Sequence, residues 1–237
     1  MQSVITGTGS HLPDLVVPNE EFIRNEFYDS AGNAIAKSKE EIVKKVEDIS
    51  GIRERRYVSP EQNATTISAH AAQKAIDFAG IDKEQIDGLI AAHNIGNITH
   101  DHHMPVLIPN LAAQIKKELG IQNHRCVASD LLFGCPGWIE GLIQAHRMIQ
   151  CGEAKHVLVI GVEVLSRIID PHDMNSMLFG DGAGAVVLSA EESDSSLGIL
   201  CHNTYSHCGE EVDYLYMGKS YHPDENQRLY IKMQGKQ

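Results

Sequence analysis

Two kinds of apolar pattern alternate along the chain. Nearly continuous apolar runs, typical of buried strands, cover residues 4–9, 86–92, 126–132 and 156–162. Apolar residues at helical spacing cover residues 63–79, 111–119 and 138–149. Gly80 and Gly152 follow two of these stretches as helix stops. Because strands and helices alternate, the pattern predicts an α/β layered fold with a central sheet.

The N-terminal region follows the same alternation less regularly. Residues 4–9 predict a buried strand that runs into a turn, and Asn19, followed by two glutamates, predicts a capped helix start. Residues 28–40 are polar and rich in turn formers, so they predict a surface excursion. Apolar residues at helical spacing resume from Ile42 to Val46.

The pattern changes towards the C-terminus. The acidic run at residues 191–196 predicts a turn, and Leu197 to Cys201 predict the start of another strand. Residues 232–237 carry no stop signal. We therefore expect the chain to end within a fold.

Composition and charge exclude several classes of function. Of the 237 residues, 42% are hydrophobic, enough for a sizeable core. A formal net charge of -12 argues against nucleic-acid binding, which uses clustered Lys and Arg. Residues 157–162 are apolar but far too few for a membrane span of roughly 20 residues. No secretory signal is visible, and the odd number of five cysteines predicts free thiols. We expect a cytoplasmic protein.

The most informative cysteine is Cys135, which lies between a predicted strand and a predicted helix. Pro136 suits the first helical position, where its missing N–H would have no partner. Cys135 would then sit at the helix N-terminus, where unpaired N–H groups and the helix dipole favour a thiolate. Gly134 and Gly137 leave room for a substrate. The alternative is a small apolar residue that fills a tight turn.

The sequence around this cysteine resembles the β-ketoacyl-acyl-carrier-protein synthase III family. The motif reads Gly134-Cys135-Pro136-Gly137-Trp138, and three further motifs match in order and spacing: Gly7-Thr8-Gly9-Ser10 with Leu12-Pro13, Gly51-Ile52-Arg53-Glu54-Arg55-Arg56, and Phe179-Gly180-Asp181-Gly182-Ala183-Gly184-Ala185. The resemblance implies a thiolase-like fold with a central mixed sheet, of which this chain is the N-terminal half of a pseudo-duplicated domain. Residues 1–190 would form that half, and residues 191–237 a connector and the start of the second half.

The resemblance also implies an activity. Cys135 would take an acyl group from a thioester, and the carbanion of malonyl-acyl-carrier protein would attack it in a decarboxylative Claisen condensation of fatty acid or related biosynthesis. Acyl carrier protein and an acyl-CoA or acyl-carrier-protein thioester are the implied partners, in a homodimer that needs no cofactor. The catalytic His and Asn of the family would lie beyond Gln237. We therefore expect this chain alone to be incompetent in condensation.

Three further residues are candidates for substrate binding. Arg53 lies where the family borders the entrance for phosphopantetheine thioesters, so it could contact a phosphate. An ion-pair cluster formed with Arg55 and Arg56 is the alternative. Ile108 should approach the acyl pocket of the partner subunit, and Trp138 completes the motif around the nucleophile.

Other patterns change the picture less. Members of the family that use acetyl-CoA bind its nucleotide with a Trp and two Arg. The matching positions of this sequence hold Lys45, Ile49 and Met174. A carrier-protein-bound or longer primer is therefore an open alternative. The glycine-rich run 179–185 lacks the ending of a phosphate loop and predicts a tight turn. The histidines and cysteines at 100–103 and 201–208 follow no zinc spacing, so no metal is expected.

Two rival functions stay open. The first is another thiolase-fold acyltransferase, such as one that resembles hydroxymethylglutaryl-CoA synthase and uses Glu as its acid. The second is a non-catalytic partner subunit of a heterodimer. Residues beyond Gln237 would discriminate the first, and the presence of Cys135 counts against the second.

Overall fold

The computed structural model describes residues 2–98, 100, 104–192, 197–225 and 227–234. In chain order its strands are β1 (Gln2–His11), β2 (Leu15–Pro18), β3 (Glu54–Tyr57), β4 (Gly88–His93), β5 (Asn97–Ile98), β6 (Pro105–Val106), β7 (Val127–Leu132), β8 (His156–Val164), β9 (Asp181–Glu191), β10 (Leu215–Lys219) and β11 (Leu229–Met233). Its α-helices are α1 (Lys39–Ser50), α2 (Ala64–Ala79), α3 (Leu111–Glu118) and α4 (Gly137–Gln150).

The chain forms two compact units, each built from three segments. The first comprises Met1–Pro13, Ser59–Val164 and Gly182–Thr204. The second comprises Asp14–Val58, Leu165–Asp181 and Tyr205–Gln237. The expected boundary at residue 190 concerns the halves of a longer duplicated domain, and it stays a prediction.

A five-stranded sheet organises the first unit, in the order β1-β9-β8-β4-β7. Strand β4 is parallel to both β7 and β8, whereas β9 is antiparallel to β1. Every residue of β4 is buried, because the strand lies in the middle of the sheet. The predicted α/β fold with a central mixed sheet is confirmed. The carboxyl ends of β4, β7 and β8 lie at one edge of this sheet.

Helix α2 of the first unit begins and ends where the sequence places its caps. Asn63 accepts a hydrogen bond from the Thr66 N–H, and Gly80 ends α2 in the left-handed conformation with φ of 66°. Helix α2 lies so close to β1 that a Cβ on Gly7 would fall 2.1 Å from the Ala75 carbonyl oxygen. Gly7 is therefore required for this contact.

Three local predictions are wrong. The N-terminal strand does not turn at Gly9, since β1 continues to His11. The glycine-rich run 179–185 is not a turn, because from Asp181 it belongs to β9, where Ala183 pairs with His11. Residues 197–201 form no strand. In the first two cases glycine content was interpreted locally, but pairing between β1 and β9 decided the outcome.

The second unit contains two antiparallel pairs, β2 with β3 and β10 with β11, together with α1. Its apolar cluster contains the buried side chains Phe22, Phe27, Ile42, Val43 and Met177. Asn19 does not cap a helix: it begins a 3-10 helix, and its side-chain amide donates to the Ile52 carbonyl. The buried Lys232 ammonium pairs with the Asp170 carboxylate.

No helix in the described part of the chain is long and apolar enough to cross a membrane.

Candidate active site

Cys135 lies in the turn between β7 and α4, and its side chain is exposed. Gly134 has φ of 74°, a left-handed conformation that suits glycine, and its carbonyl accepts the Gly137 N–H at 3.0 Å. This tight turn carries the chain from the carboxyl edge of the sheet into the helix. The predicted strand-cysteine-helix arrangement is present.

The helix begins one residue later than the sequence indicated. Pro136 is the residue before the helix rather than the first helical one, and its carbonyl accepts the Glu140 N–H at 3.1 Å. Among the described residues, the N–H groups of Trp138 and Ile139 have no hydrogen-bond partner. The first turn of α4 therefore offers free donors close to Cys135.

The other cysteines occupy different surroundings. Cys126 is buried, and burial raises the pKa of its thiol. Cys151 is exposed, but it caps the C-terminal end of α4, where carbonyl groups point outward. Cys201 and Cys208 are exposed and lie outside helices and strands. Only Cys135 precedes an α-helix in the described residues.

Trp138 packs against the sheet at the start of α4. A Cβ on Gly161 would lie 3.3 Å from the Trp138 Cβ, so the indole covers this glycine of β8. The side chain is partly buried against the cluster around Val159. Packing explains the residue type at this position, and substrate contact by Trp138 stays a prediction.

Ile108 lies between β6 and α3, and 90% of it is exposed. Met104 and Leu107 on the same segment are also exposed. Strand β7 is an edge strand of the sheet and exposes Val127 and Leu132. Apolar side chains are therefore exposed both on this segment and on the edge strand that leads to Cys135.

Arg53 lies in the second unit and is exposed, with its Nε 3.4 Å from Glu47 Oε1. Arg55 is buried and donates to the carbonyl oxygens of Val17 and Met177. The two arginines thus differ in role, since Arg55 is structural whereas Arg53 keeps an accessible guanidinium. The phosphate contact of Arg53 stays a prediction.

The sequence reasoning missed a buried pair at the carboxyl edge of the sheet. His93, the last residue of β4, has its Nε2 3.0 Å from Asp130 Oδ2 in β7. Burial alone would raise the pKa of Asp130, but contact with His93 and the N–H groups of Ala112 and Leu111 holds it below its ordinary value. Asp130 is therefore a stable carboxylate.

A second polar pair lies at the same edge. Glu163 Oε2 accepts both the backbone N–H of Asn94, at 2.9 Å, and its side-chain amide, at 2.6 Å. Glu163 follows Gly161 by two residues along β8, so its side chain lies on the same face of the sheet as the α-carbon hydrogen of Gly161 that meets Trp138. This is the face on which α4 packs. A polar residue directly after an apolar strand was the only sequence signal for either pair.

Among the described residues, no group of three or more His, Cys, Asp and Glu is arranged to hold a metal ion. Of the histidine-rich run 100–103, residues 101–103 lie outside the described residues.

Comparisons with known proteins agree with this geometry. The family model for 3-oxoacyl-[acyl-carrier-protein (ACP)] synthase III matches residues 129–207, which include Cys135 and α4. β-Ketoacyl-[acyl-carrier-protein] synthase III of Serratia proteamaculans is 36% identical over 236 residues, 99% of this chain. The chain belongs to the β-ketoacyl-acyl-carrier-protein synthase III family.

Other synthase III proteins extend the comparison. One from Vibrio vulnificus is 38% identical over 91% of this chain. The solved synthase III of Aquifex aeolicus has a TM-score of 0.75 and 30% identity over 98% of the chain. The priming β-ketosynthase of the R1128 polyketide pathway has a TM-score of 0.76 and 29% identity over 99% of the chain. This chain spans 66% of the Serratia relative and 60% of the Vibrio relative.

Proposed function

We propose that the protein is a β-ketoacyl-acyl-carrier-protein synthase III whose nucleophile is Cys135. The observation that carries the proposal is the exposed Cys135 at the start of α4, in a member of the synthase III family. Its thiolate attacks the carbonyl of an acyl thioester, an S–C bond forms, and the donor thiol leaves. Malonyl-acyl-carrier protein then loses CO₂, and its carbanion attacks the acyl-enzyme. A C–C bond forms and the Cys135 thiolate is released.

Backbone N–H groups at the turn fit the charge that develops in this reaction. In both steps a carbonyl oxygen becomes an oxyanion, which backbone donors stabilise. The N–H of Cys135 has no hydrogen-bond partner among the described residues. We assign it as one donor of the oxyanion hole.

The acyl donor is proposed to arrive on acyl carrier protein, with acyl-CoA as the alternative. Lys45, Ile49 and Met174 stand where CoA-using members hold a Trp and two Arg, and Ile49 and Met174 are exposed apolar residues. Neither can form a bidentate contact with a phosphate. Arg53 is the proposed phosphate contact. The proposed location is the cytoplasm, where thiols stay reduced.

A second copy of the chain is the proposed partner of the β7 edge. Unpaired strand edges with exposed apolar side chains are templates for pairing with another chain. Val127 and Leu132 lie on this edge and Ile108 lies on a segment of the same unit. In such a homodimer Ile108 would reach the acyl site of the partner.

Condensation tests the proposed function. The native gene product, with any residues that its gene encodes beyond Gln237, is mixed with an acyl thioester and radiolabelled malonyl-acyl-carrier protein, and labelled β-ketoacyl product is measured. We expect product from the wild-type protein and from Cys151→Ala, but none from Cys135→Ala. Product from Cys135→Ala at the wild-type rate, or none from the wild type with acyl donors of two to twelve carbons on either carrier, would contradict the proposal.

A further inference from the structure

His93 is the last residue of β4, which lies next to β7, the strand that leads to Cys135. It is only 3% exposed, and its partner in the parallel register of β7 is Leu132. Leu132 precedes Cys135 by three residues. The imidazole is therefore a buried titratable group beside the candidate site, with no role in the proposed chemistry.

The tautomer of His93 follows from the hydrogen bond at its Nδ1. The Gly96 N–H donates to Nδ1 at 2.8 Å, so Nδ1 must carry a lone pair. The proton of the neutral ring is then on Nε2, which lies 3.0 Å from Asp130 Oδ2 in a close polar contact that does not have the geometry of a hydrogen bond. His93 thus joins the turn after β4 to the carboxylate in β7.

Asp130 also binds a third element, the start of α3. Its Oδ2 accepts the Leu111 N–H at 2.9 Å, and its Oδ1 accepts the Ala112 N–H at 2.7 Å. These are the first two residues of α3, where free N–H groups favour a carboxylate. One ionised side chain therefore fixes the start of α3 against β7.

The segment that bears Ile108 lies between the two ends of this connection. Ile108 precedes α3 by three residues. Leu107 also lies close to the turn that His93 holds, since a Cβ on Gly96 would fall 3.3 Å from Leu107 Cδ2. A shift of Asp130 or His93 would therefore move the apolar segment together with the end of β7.

We propose that His93 is a positioning residue: through its contact with Asp130 it fixes the segment of Ile108, which enters the acyl site of the partner, relative to the strand that leads to Cys135 of its own chain. The proposal rests on the proposed function, because it assumes that an acyl group is accepted at Cys135. His93 does not touch the reacting atoms.

Two amide variants separate the two contacts of His93. Asparagine places its amide near the position of Nδ1, so His93→Asn keeps an acceptor for the Gly96 N–H but does not reach Asp130. Glutamine reaches the position of Nε2, so His93→Gln keeps an N–H group in contact with Asp130 and loses the Gly96 contact. If the Asp130 contact positions the site, only the glutamine variant should rescue it.

The test measures acylation of Cys135 over time by mass spectrometry of the intact native protein. We expect His93→Asn to acylate more slowly, by about 10- to 100-fold, because a small displacement of a site costs this much. His93→Gln should stay close to wild type. Equal rates in wild type and His93→Asn would overturn the proposal, and so would equal losses in both variants.

Two further readouts separate this proposal from the proposed function. Hydrogen exchange at Leu111 and Ala112 should accelerate in His93→Asn and not in His93→Gln. If no thioester acylates the wild-type protein, the proposed function fails. Labelling with iodoacetamide then tests the positioning role of His93 separately. A Cys135 to Cys151 labelling ratio that changes in His93→Asn only would support positioning of the site, whereas the same ratio in all three proteins would overturn it.

Discussion

Helix α4 has an exposed cysteine at each end, and the two ends differ in chemistry. Cys135 precedes the helix, where free N–H groups point outward, whereas Cys151 caps the end at which carbonyl groups point outward. The N–H groups at the first end can donate to an oxyanion bound there, whereas the carbonyl groups at the second end cannot. Both cysteines are exposed, so exposure does not by itself identify the nucleophile. The end of the helix at which the cysteine lies does.

The largest expected effect is the difference in alkylation among Cys135, Cys151 and Cys126. With limiting iodoacetamide, Cys135 should react first and Cys151 about threefold to fivefold more slowly, because the helix dipole acts with opposite sign. Cys126 should react at least about 100-fold more slowly, because its thiol is buried with a raised pKa and needs local opening. Peptide mapping at several times measures all three rates in one sample.

That order is broken if Cys151 is labelled as fast as Cys135. In a matched control, prior denaturation with urea should make the three rates nearly equal, since helix direction and burial are then lost.

Packing of Trp138 at the N-terminal end of α4 should contribute to the free energy of unfolding. Trp138→Ala should lower the free energy of unfolding by about 3 kcal/mol, since the indole covers Gly161. Trp138→Phe should cost less than half of this. Urea unfolding measures both variants. A raised KM for the acyl donor with unchanged stability would instead show that Trp138 serves the substrate.

The edge of the sheet near Cys135 should support self-association. Leu132→Asp places a charge on the exposed edge strand and should convert a dimer to a monomer. Phe78→Asp is the matched control, because Phe78 is 73% exposed on α2 rather than on the sheet edge. Light scattering over a concentration series measures the mass. Monomeric wild-type protein, or dissociation by both variants, would contradict the proposed interface.

The smallest effect concerns the pH dependence of stability. The pKa of Asp130 is lowered in the folded protein, so its contribution is present above the unfolded pKa of about 3.9 and is lost as pH falls through the folded value. Asp130→Asn should cost about 1–2 kcal/mol at pH 7. The difference from wild type should shrink as the pH falls below about 4. A difference that stays constant with pH would show that the charge of Asp130 does not matter.

The sequence was sufficient for the α/β alternation and for the turn at Cys135, because both depend on local signals. Apolar runs mark β4 and β8, and Gly134 with Pro136 marks the passage from strand to helix. The helix start was displaced by one residue, since a proline fits both positions and local pattern does not separate them.

The polar pairs beside the site could not be found in this way. The contact of His93 with Asp130 depends on the parallel register of β4 and β7, which pairs His93 with Leu132. Asn94 and Glu163 meet for a similar reason, because β4 and β8 are neighbours in the sheet. Strand order is a property of the whole sheet, and no local spacing reports it.

The most direct test of the account is the location of the acyl group after the first half-reaction. The native protein is treated with an acyl thioester, without malonyl-acyl-carrier protein, and peptides are sequenced by tandem mass spectrometry. The account predicts the added acyl mass on the peptide of Cys135 and none on that of Cys151. Acyl mass on Cys151, or adduct that persists in Cys135→Ala, would contradict the assignment of the nucleophile.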